Sequence, residues 1–320
     1  MCHRAGVELD DLSRRIVGAL QVDGRASWRR IAAALGESPR TVARRGAALL
    51  ESGAVRVVSL PTHVPSHVLR VRCDPDRVLQ VAESVSAWRE SVFAYSLTSA
   101  PEMVAELMLE FDDVPALMTE RVLALEGVRD YSLRPIVHCF KTVARWRAGG
   151  ITEDEIRDLE STATVPEQYR PDLVLDDVDR AVIDVLVRDG RIPLEDLARA
   201  VAVSEATLRR RLDNLRAVGA VHVRAVVEPA ALGLRVEAVL QIECSPGRAT
   251  RIGALLTDSP WVRYAVLTLG DRVAFADVAA PDLASLQDLI SSLDEAQDLK
   301  ADLVLEAHKR SGVPMPGREH

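Results

Sequence analysis

Apolar residues in the first 50 positions recur at helical spacing in three blocks, with turn residues between them. Asp23-Gly24 separates the first block from the second, and Gly36 ends the second. Ser38 followed by Pro39 has the form of a helix N-cap with proline in the first turn. The pattern predicts three helices, whose inward positions are Leu12, Ile16, Leu20, Trp28, Ile31, Ala32, Leu35, Val42 and Leu49.

A stretch of alternating apolar and polar residues, Ala54 to Leu60, follows the third block. Alternation favours a short strand, and we expect it to fold as part of a hairpin. A helix, a tight turn, a capped helix and then a hairpin together form the pattern of a winged helix-turn-helix domain.

The same pattern occurs a second time in the chain. Residues 9–59 align without a gap on residues 175–225, and 19 of these 51 positions are identical. Both copies keep the Asp-Gly turn and the serine cap, so the chain contains an internal duplication. The inward positions of the second copy are Val182, Leu186, Leu197, Val201, Leu208, Leu212 and Leu215.

Arginines alternate with the inward positions of the third helix in both copies, which predicts that they face outward. Basic side chains on a projecting helix can neutralise DNA phosphates and reach guanine edges. A solvated charged helix in an ordinary bundle is the other interpretation, and the repeated cap, turn and strand argue against it. We therefore expect double-stranded DNA to contact Ser38, Arg40, Thr41, Arg44 and Arg45 in the first copy, and Ser204, Thr207, Arg209, Arg210 and Arg211 in the second.

Each helical copy is followed by segments that read as strand, helix, two strands, helix and strand. This βαββαβ order is that of a ferredoxin-like domain with its helices on one face of the sheet. The predicted fold class is α+β, with two winged helix-turn-helix domains and two ferredoxin-like domains in tandem. The predicted domains are residues 1–61, 66–147, 175–228 and 230–312, with an acidic linker at 148–174.

Together these motifs resemble the Lrp/AsnC family of bacterial transcriptional regulators, in a tandem form with two complete modules. The resemblance rests on "LDDLSRRIVGALQVDGR" and "LDDVDRAVIDVLVRDGR", on "SPRTVARR" and "SEATLRRR", and on the sheet domains ending "HCFKTVARWR" and "LVLEAHKR". The family implies sequence-specific DNA binding by the helical domains. It also implies self-association through the sheet domains, called RAM domains, which often bind an amino acid or a similar small effector. We expect a regulator of transcription that forms a homodimer or a higher assembly.

The two helical copies differ in charge and in one core position. Residues 1–60 contain ten arginines and six acidic residues, whereas residues 175–228 contain nine arginines and ten acidic residues. We therefore expect the first copy to supply most of the DNA affinity. Gly46 stands where the second copy has Leu212. An interior glycine costs about 1 kcal/mol relative to alanine. We therefore expect the third helix of the first copy, its recognition helix, to be loosely packed.

The resemblance places the effector beside the loop between the second and third strands of a sheet domain. The second module has "LTLGDRV" there, and the first has "LTSAPEM". Gly270, Asp271 and Arg272 offer close backbone approach, a carboxylate and a cation, which suit a small zwitterion. We therefore expect effector binding in the second module, although a plain hairpin turn is the other interpretation. Ala100 and Pro101 predict no site in the first.

Composition narrows the remaining possibilities. The net charge of −8 argues against indiscriminate binding to polyanions, and no apolar run is long enough for a membrane span. The N-terminus lacks an apolar signal-peptide core, so we expect a cytoplasmic protein with no membrane partner. The cysteines are scattered without metal-ligand spacing, and no cofactor motif is present, so we expect neither metal nor cofactor. The four cysteines are Cys2, Cys73, Cys139 and Cys244.

Two alternatives remain open at this stage. Some proteins of the same architecture, including fused tandem forms, act as sirohaem decarboxylases that use His and Arg of the sheet domain. Here the sheet-domain histidines are His67, His138 and His308, none of which lies in a clustered Arg/His motif. No nucleophile–His–acid set is visible either, so we expect no catalytic residue and no enzyme. The other alternative is a regulator in which one module serves only assembly or sensing.

Overall fold

The computed structural model describes residues 8–60, 64–147, 150–160, 173–270 and 274–315. The chain divides into two compact units. One unit contains both helix-turn-helix copies and the described part of the connector between the modules, and the other contains both sheet domains. The predicted α+β class, with paired helical and ferredoxin-like domains in tandem, is confirmed.

The helical unit contains the elements that the periodicity predicts. Each copy has three helices followed by one strand. In the first copy they are α1 (Asp11–Val22), α2 (Trp28–Leu35), α3 (Pro39–Glu51) and β1 (Val55–Leu60). In the second they are α7 (Asp177–Arg188), α8 (Leu194–Ala200), α9 (Glu205–Ala217) and β6 (His222–Val227).

The strand that follows each third helix pairs with the other copy. β1 runs antiparallel to β6, with Val55 opposite Val227 and Leu60 opposite His222. The expected hairpin within each copy is therefore wrong, because each strand satisfies its backbone groups on the strand of its duplicate. The two helical copies are thus joined by a two-stranded sheet.

The connector contributes a short helix, α6 (Glu153–Leu159), to the helical unit. Thr152 and Glu155 form a capping box at its N-terminus. Arg15 of α1 pairs with Glu155 at 2.6 Å, and Leu159 is fully buried. This part of the connector is therefore folded onto the first copy. The end of the predicted linker, residues 161–172, lies outside the described residues.

The sheet unit contains two βαββαβ domains. The first has β2 (Ser66–Cys73), α4 (Val78–Ser86), β3 (Ser91–Leu97), β4 (Glu102–Met108), α5 (Val114–Ala116) continuing as a π-helical turn (Leu117–Val122), and β5 (Val128–Lys141). The second has β7 (Val236–Glu243), α10 (Pro246–Asp258), β8 (Val262–Thr268), β9 (Ala274–Ala280), α11 (Leu283–Ser292) and β10 (Asp298–Arg310), followed by β11 (Val313–Pro314).

The long last strand of each domain belongs to both sheets. The first half of β5 pairs with β2 of its own domain, and its second half pairs with β8 of the other. β10 likewise pairs first with β7 and then with β3. The strand order β10-β3-β4-β2-β5-β8-β9-β7 therefore returns to β10 and closes a barrel from both modules.

The inner face of this barrel mixes an apolar core with buried acids. Phe93, Tyr95, Tyr264 and Phe275 pack there among aliphatic side chains. Tyr264 donates to Glu106 at 2.9 Å, and Tyr95 donates to Asp277 at 3.0 Å. Each of these hydrogen bonds joins a residue of one module to a residue of the other, so the modules share both their backbone ladder and their core.

Candidate nucleic-acid interface

The third helix of each copy begins with the same side-chain cap. The Ser38 hydroxyl accepts a hydrogen bond from the Thr41 amide of α3, and Ser204 accepts one from the Thr207 amide of α9. In both copies the serine and threonine hydroxyls also bond to each other, at 2.8 and 2.9 Å. Both serines are exposed, so these caps stand at the surface of the helical unit.

Four of the predicted DNA-contacting arginines lie on the exposed faces of these helices. Arg40 and Arg44 of α3 and Arg210 of α9 are exposed, and none has a hydrogen-bond or ion-pair partner among the residues described. Arg209 is exposed and lies 3.5 Å from Glu205, one turn earlier. These guanidinium groups are available to an anionic ligand from outside.

Arg45 and Arg211 do not match the expectation that they face outward. Arg45 pairs with Asp10, the N-cap of α1, and hydrogen-bonds to Ser13. Arg211 pairs with Asp176 and Asp179 of the second copy, each at 2.7 Å. Both side chains are half-buried. These ion pairs connect the third helix to the first helix of the same copy, because an arginine side chain is long enough to reach a carboxylate on the neighbouring helix.

The Arg45 contact also affects the acid with which it pairs. This guanidinium, with the Ser13 amide, lowers the pKa of Asp10 to about 2. Asp10 therefore stays ionised at neutral pH and caps α1 as a carboxylate.

Gly46 does not loosen the first recognition helix, in contrast to the expectation. A Cβ added at Gly46 would lie 2.4 Å from the Trp28 ring, so the indole occupies the space of the missing side chain. The second copy has leucine at both equivalent positions, Leu194 and Leu212. The two copies therefore fill the same space with different pairs of residues.

Two arginines that the sequence analysis did not select join the helical copies. Arg25 donates to the Gly190 and Ile192 carbonyls at 2.7 and 2.8 Å. Arg191 donates to the Gly24 and Ala26 carbonyls at 2.6 and 3.2 Å. We refer to Arg25, Arg191 and these four carbonyls as the reciprocal arginine pair. The identical "DGR" in both copies was the available signal, since each arginine follows an Asp-Gly turn.

The Arg191 guanidinium also stacks 4.4 Å from the Trp28 ring, which lies against α3. The turns beneath are closely packed, because a Cβ on Gly24 or Gly190 would lie within 3.0 Å of the facing copy. Gly190 donates its amide to the Val57 carbonyl at 2.8 Å. The two recognition helices are therefore carried by a single packed body.

The two helical copies match a known type of domain. The model of the AsnC-type helix-turn-helix domain matches residues 9–50 and again residues 175–216. The chain therefore contains two AsnC-type helix-turn-helix domains in tandem, and it is similar to transcriptional regulators of the Lrp/AsnC type. The HTH-type transcriptional regulator FL11 of Pyrococcus furiosus is 28% identical over 142 residues, which are 43% of this chain and 94% of FL11. The HTH-type transcriptional regulator LrpA of Pyrococcus abyssi is 26% identical over 37% of this chain and 85% of its own length.

One solved structure covers both modules of the chain together. The siroheme decarboxylase NirDL superposes with a TM-score of 0.60 over 94% of this chain and 93% of its own, at 16% identity. At this identity the likeness establishes a shared fold, which is the arrangement of two complete modules in one polypeptide.

The hairpin proposed to bind an effector is partly described. Gly270 follows β8 with a φ of +109°, which requires glycine, and it is exposed. A Cβ added there would lie 3.3 Å from Arg134 Nε of β5, a cation that the sequence analysis did not associate with this hairpin. Asp271 and Arg272 lie outside the described residues. In the first module the Pro101 carbonyl accepts from the Cys73 amide at 2.8 Å, which ties that hairpin to its own sheet.

The three sheet-domain histidines have separate surroundings. His67 contacts Phe111, His138 lies edge-on to Phe140, and His308 lies 3.2 Å from the Ser96 hydroxyl. Within the described ranges no three His, Cys, Asp or Glu side chains are grouped to hold a metal ion. No helix in the part of the chain described here is long and apolar enough to cross a bilayer.

Proposed function

We propose that this chain is a sequence-specific transcriptional regulator that binds double-stranded DNA through its two joined helix-turn-helix copies. The observation that carries the proposal is the pair of serine-capped helices, α3 and α9, with exposed guanidinium groups on one packed body. Capped helices of this kind enter the major groove, where arginine can bond guanine and its neighbours can bond phosphates.

The first copy contributes more of the binding energy in this proposal. Arg40 and Arg44 have no counter-ion among the described side chains, whereas Arg209 has Glu205 beside it. Residues 1–60 are also net basic and residues 175–228 are not. The second copy then adds contacts whose position is fixed by the reciprocal arginine pair.

The experiment measures binding of the full chain to a duplex selected from genomic fragments, by fluorescence anisotropy over a range of salt concentrations. Arg40→Ala with Arg44→Ala should weaken binding at least tenfold and reduce the slope of log K against log salt by about 2, since each lost phosphate contact removes about 0.9. Arg209→Ala with Arg210→Ala should have a smaller effect.

Arg248→Ala with Arg251→Ala is the matched control, because it removes the same charge from exposed positions of α10 in the sheet unit. This control should leave both affinity and slope unchanged. If the Arg40/Arg44 variant behaves like the control, the proposed interface is wrong.

We propose further that a small effector, an amino acid or similar zwitterion, binds beside Gly270, Asp271 and Arg272. The positive φ and exposure of Gly270 support close approach of a ligand to the backbone. The Arg134 guanidinium beside the same glycine supports a carboxylate-bearing ligand. Self-association of whole chains through the sheet domains is proposed on the family's pattern, as a homodimer with four helix-turn-helix copies.

A role as a sirohaem decarboxylase is the alternative, and it needs an experiment of its own. The curated relatives are named as regulators, and the likeness to NirDL supports the fold alone. When purified protein is incubated with sirohaem, the absorption spectrum of the sirohaem and its number of carboxylates should stay unchanged. If sirohaem loses carboxylates and the protein selects no DNA duplex, the proposal of a regulator is wrong and a decarboxylase role replaces it.

A further inference from the structure

The two helical copies are related to each other by an approximate two-fold axis. β1 and β6 run antiparallel, and Val58 stands opposite Arg224, which is its equivalent in the second copy. The Gly24 amide donates to the Val223 carbonyl at 3.0 Å, and the Gly190 amide makes the equivalent bond to the first copy at 2.8 Å. The reciprocal arginine pair has the same exchange of roles. Contacts that repeat in both directions are those of a two-fold interface.

A two-fold arrangement determines how α3 and α9 meet a DNA duplex. Two recognition helices related in this way bind two half-sites in inverted orientation. When the two helices are identical, as in a symmetric dimer, both half-sites have the same sequence and the operator is a palindrome. Whether the half-sites of this chain are alike therefore depends on the residues that α3 and α9 expose.

The exposed faces of α3 and α9 are different. Arg40 of α3 is exposed, and its equivalent in α9 is Ala206. Arg209 of α9 is exposed, and its equivalent in α3 is the half-buried Ala43. Each of these two positions therefore has an arginine in one copy only. Three further pairs of exposed or half-buried residues also differ, namely Pro39 and Glu205, Ala47 and Asp213, and Ala48 and Asn214.

The residues that the two helices share have mainly structural roles. The serine and threonine of the cap are the same in both copies, and so are Arg45 and Arg211, which pair with the first helix. Within residues 39–45 and 205–211, Arg44 and Arg210 are the one identical pair with exposed side chains. The copies thus keep the residues that build the helix and differ where base edges are contacted.

The arginines are also arranged differently along the two helices. Arg40 and Arg44 are four residues apart, so they lie on one side of α3. Arg209 and Arg210 are adjacent, so they point in directions about 100° apart around α9. An arginine can bond both acceptors of a guanine, whereas an alanine contacts the methyl group of a thymine. The two helices therefore place their guanine-binding groups at different base pairs.

We infer that the duplex bound by each chain is not a palindrome. It consists of two half-sites in inverted orientation with unlike sequences, one for α3 and one for α9. This inference rests on the proposed function in DNA binding. The residues that determine the difference are Arg40, Ala43, Ala206 and Arg209. Because the half-sites are unlike, the chain binds its duplex in one orientation only.

The experiment first selects a duplex for the full chain from a random-sequence library. Fluorescence anisotropy then compares this selected duplex with two symmetric duplexes, each of which contains one of the half-sites twice in inverted orientation. Wild-type protein should bind the selected duplex about tenfold more tightly than either symmetric duplex, since each mismatched base pair weakens binding by about that factor.

Two variants exchange the arginine positions of the two helices without changing the net charge. Arg40→Ala with Ala43→Arg gives α3 the arginine positions of α9, and this variant should prefer one of the symmetric duplexes. Ala206→Arg with Arg209→Ala makes the opposite exchange and should prefer the other symmetric duplex. Each preference should reverse the order of affinities that the wild type shows for the selected and the symmetric duplex.

The matched control moves an arginine by one turn on the exposed face of α2. Arg29→Ala with Ala33→Arg also leaves the net charge unchanged, and it should keep the wild-type preference for the selected duplex. The measurement with wild-type protein does not depend on the folding of any variant.

The outcomes distinguish this inference from the proposed function. Selection of a palindrome, or of two half-sites in direct repeat, overturns the inference and leaves the proposal of a DNA-binding regulator in place. Equal affinity of wild-type protein for the selected duplex and a symmetric one also overturns it, and so does an unchanged preference in both exchanged variants. If no duplex is selected, the proposed function and the inference are both wrong.

Discussion

Arg25 and Arg191 make the same contacts in opposite directions: each guanidinium donates to the carbonyls of the turn glycine and of the residue two positions later in the other helical copy. The contacts are equivalent under the duplication, since Gly24 corresponds to Gly190 and Ala26 to Ile192. Together with the pairing of β1 and β6, they fix the separation of α3 and α9. The spacing between two half-sites on DNA is a geometric consequence of such a separation.

Removal of Arg25 should destabilise the helical unit. Arg25→Ala leaves the Gly190 and Ile192 carbonyls without their charged donors, and we expect a loss of about 2 to 3 kcal/mol in the free energy of unfolding. Urea denaturation of the full chain measures the loss. Arg29→Ala, an exposed arginine of α2, should change stability by less than about 0.5 kcal/mol. Equal stability of the two variants would contradict the role given to Arg25.

Trp28 and Gly46 should be coupled energetically. Gly46→Leu forces a side chain into the indole, and Trp28→Leu leaves a cavity above the glycine, so each single change should cost about 2 to 4 kcal/mol. The double variant reproduces the Leu194 and Leu212 pair of the second copy and should recover about 2 kcal/mol or more. A double-mutant cycle in urea measures this coupling, and strictly additive losses would refute it.

The buried Glu106 should make the sheet unit less stable as the pH rises. Burial raises the pKa of Glu106 from 4.5 to about 7, with the Tyr264 and Ser66 hydroxyls and the Asp277 carboxylate as its polar neighbours. A carboxyl whose pKa is higher in the folded chain than in the unfolded chain stabilises the fold at low pH. That contribution is lost between pH 4.5 and 7, at a cost of about 3 kcal/mol. Glu106→Gln should therefore gain stability relative to wild type across this range, and parallel stability profiles would disprove the shift.

An amino-acid effector should depend on one hairpin only. In a thermal-shift screen of amino acids, the ligand that stabilises wild-type protein should have no effect on Gly270→Val, because the side chain closes the approach and disfavours the positive φ. Ala100→Val, at the corresponding hairpin of the first module, should keep the response. A response that needs the first hairpin, or no response to any amino acid, would show that the site has been misassigned.

Whole chains should associate further. Multi-angle light scattering at micromolar concentration should give a mass of at least two chains, as expected if sheet domains of separate chains pair in addition to those within one chain. A monomer mass across that concentration range would refute this expectation without affecting the closed barrel inside each chain.

Local signals in the sequence predicted the elements well, and long-range partners less well. The caps at Ser38 and Ser204 and the βαββαβ order followed from spacing and turn residues, which act within a few positions. The partner of β1 did not, because an alternating strand exposes a hydrogen-bonding edge that many strands satisfy equally. The second helix expected in the first βαββαβ domain is instead distorted into a π-helical turn at Leu117–Val122, for which the sequence carried no clear mark.

For side chains too, the sequence predicted local features better than contacts with distant parts of the chain. Arg40 and Arg45 look alike in a helical pattern, yet only the fold reveals that Asp10 lies within reach of Arg45. The indole that fills the place of a side chain at Gly46 comes from another helix, so a count of inward positions on α3 alone suggested a defect. The aligned copies held the clue, since tryptophan with glycine replaces leucine with leucine.

The shared strands β5 and β10 have a consequence for very dilute protein. Two separate modules would have to meet before their sheets could close, and their pairing would weaken as fewer copies are made. Here both halves of the barrel arrive on one polypeptide, so the pairing is intramolecular and does not depend on abundance. A cell with a single molecule of this protein would still contain both α3 and α9 in one joined unit. Because the two copies are separate segments of one chain, the residues of each can change without changing those of the other.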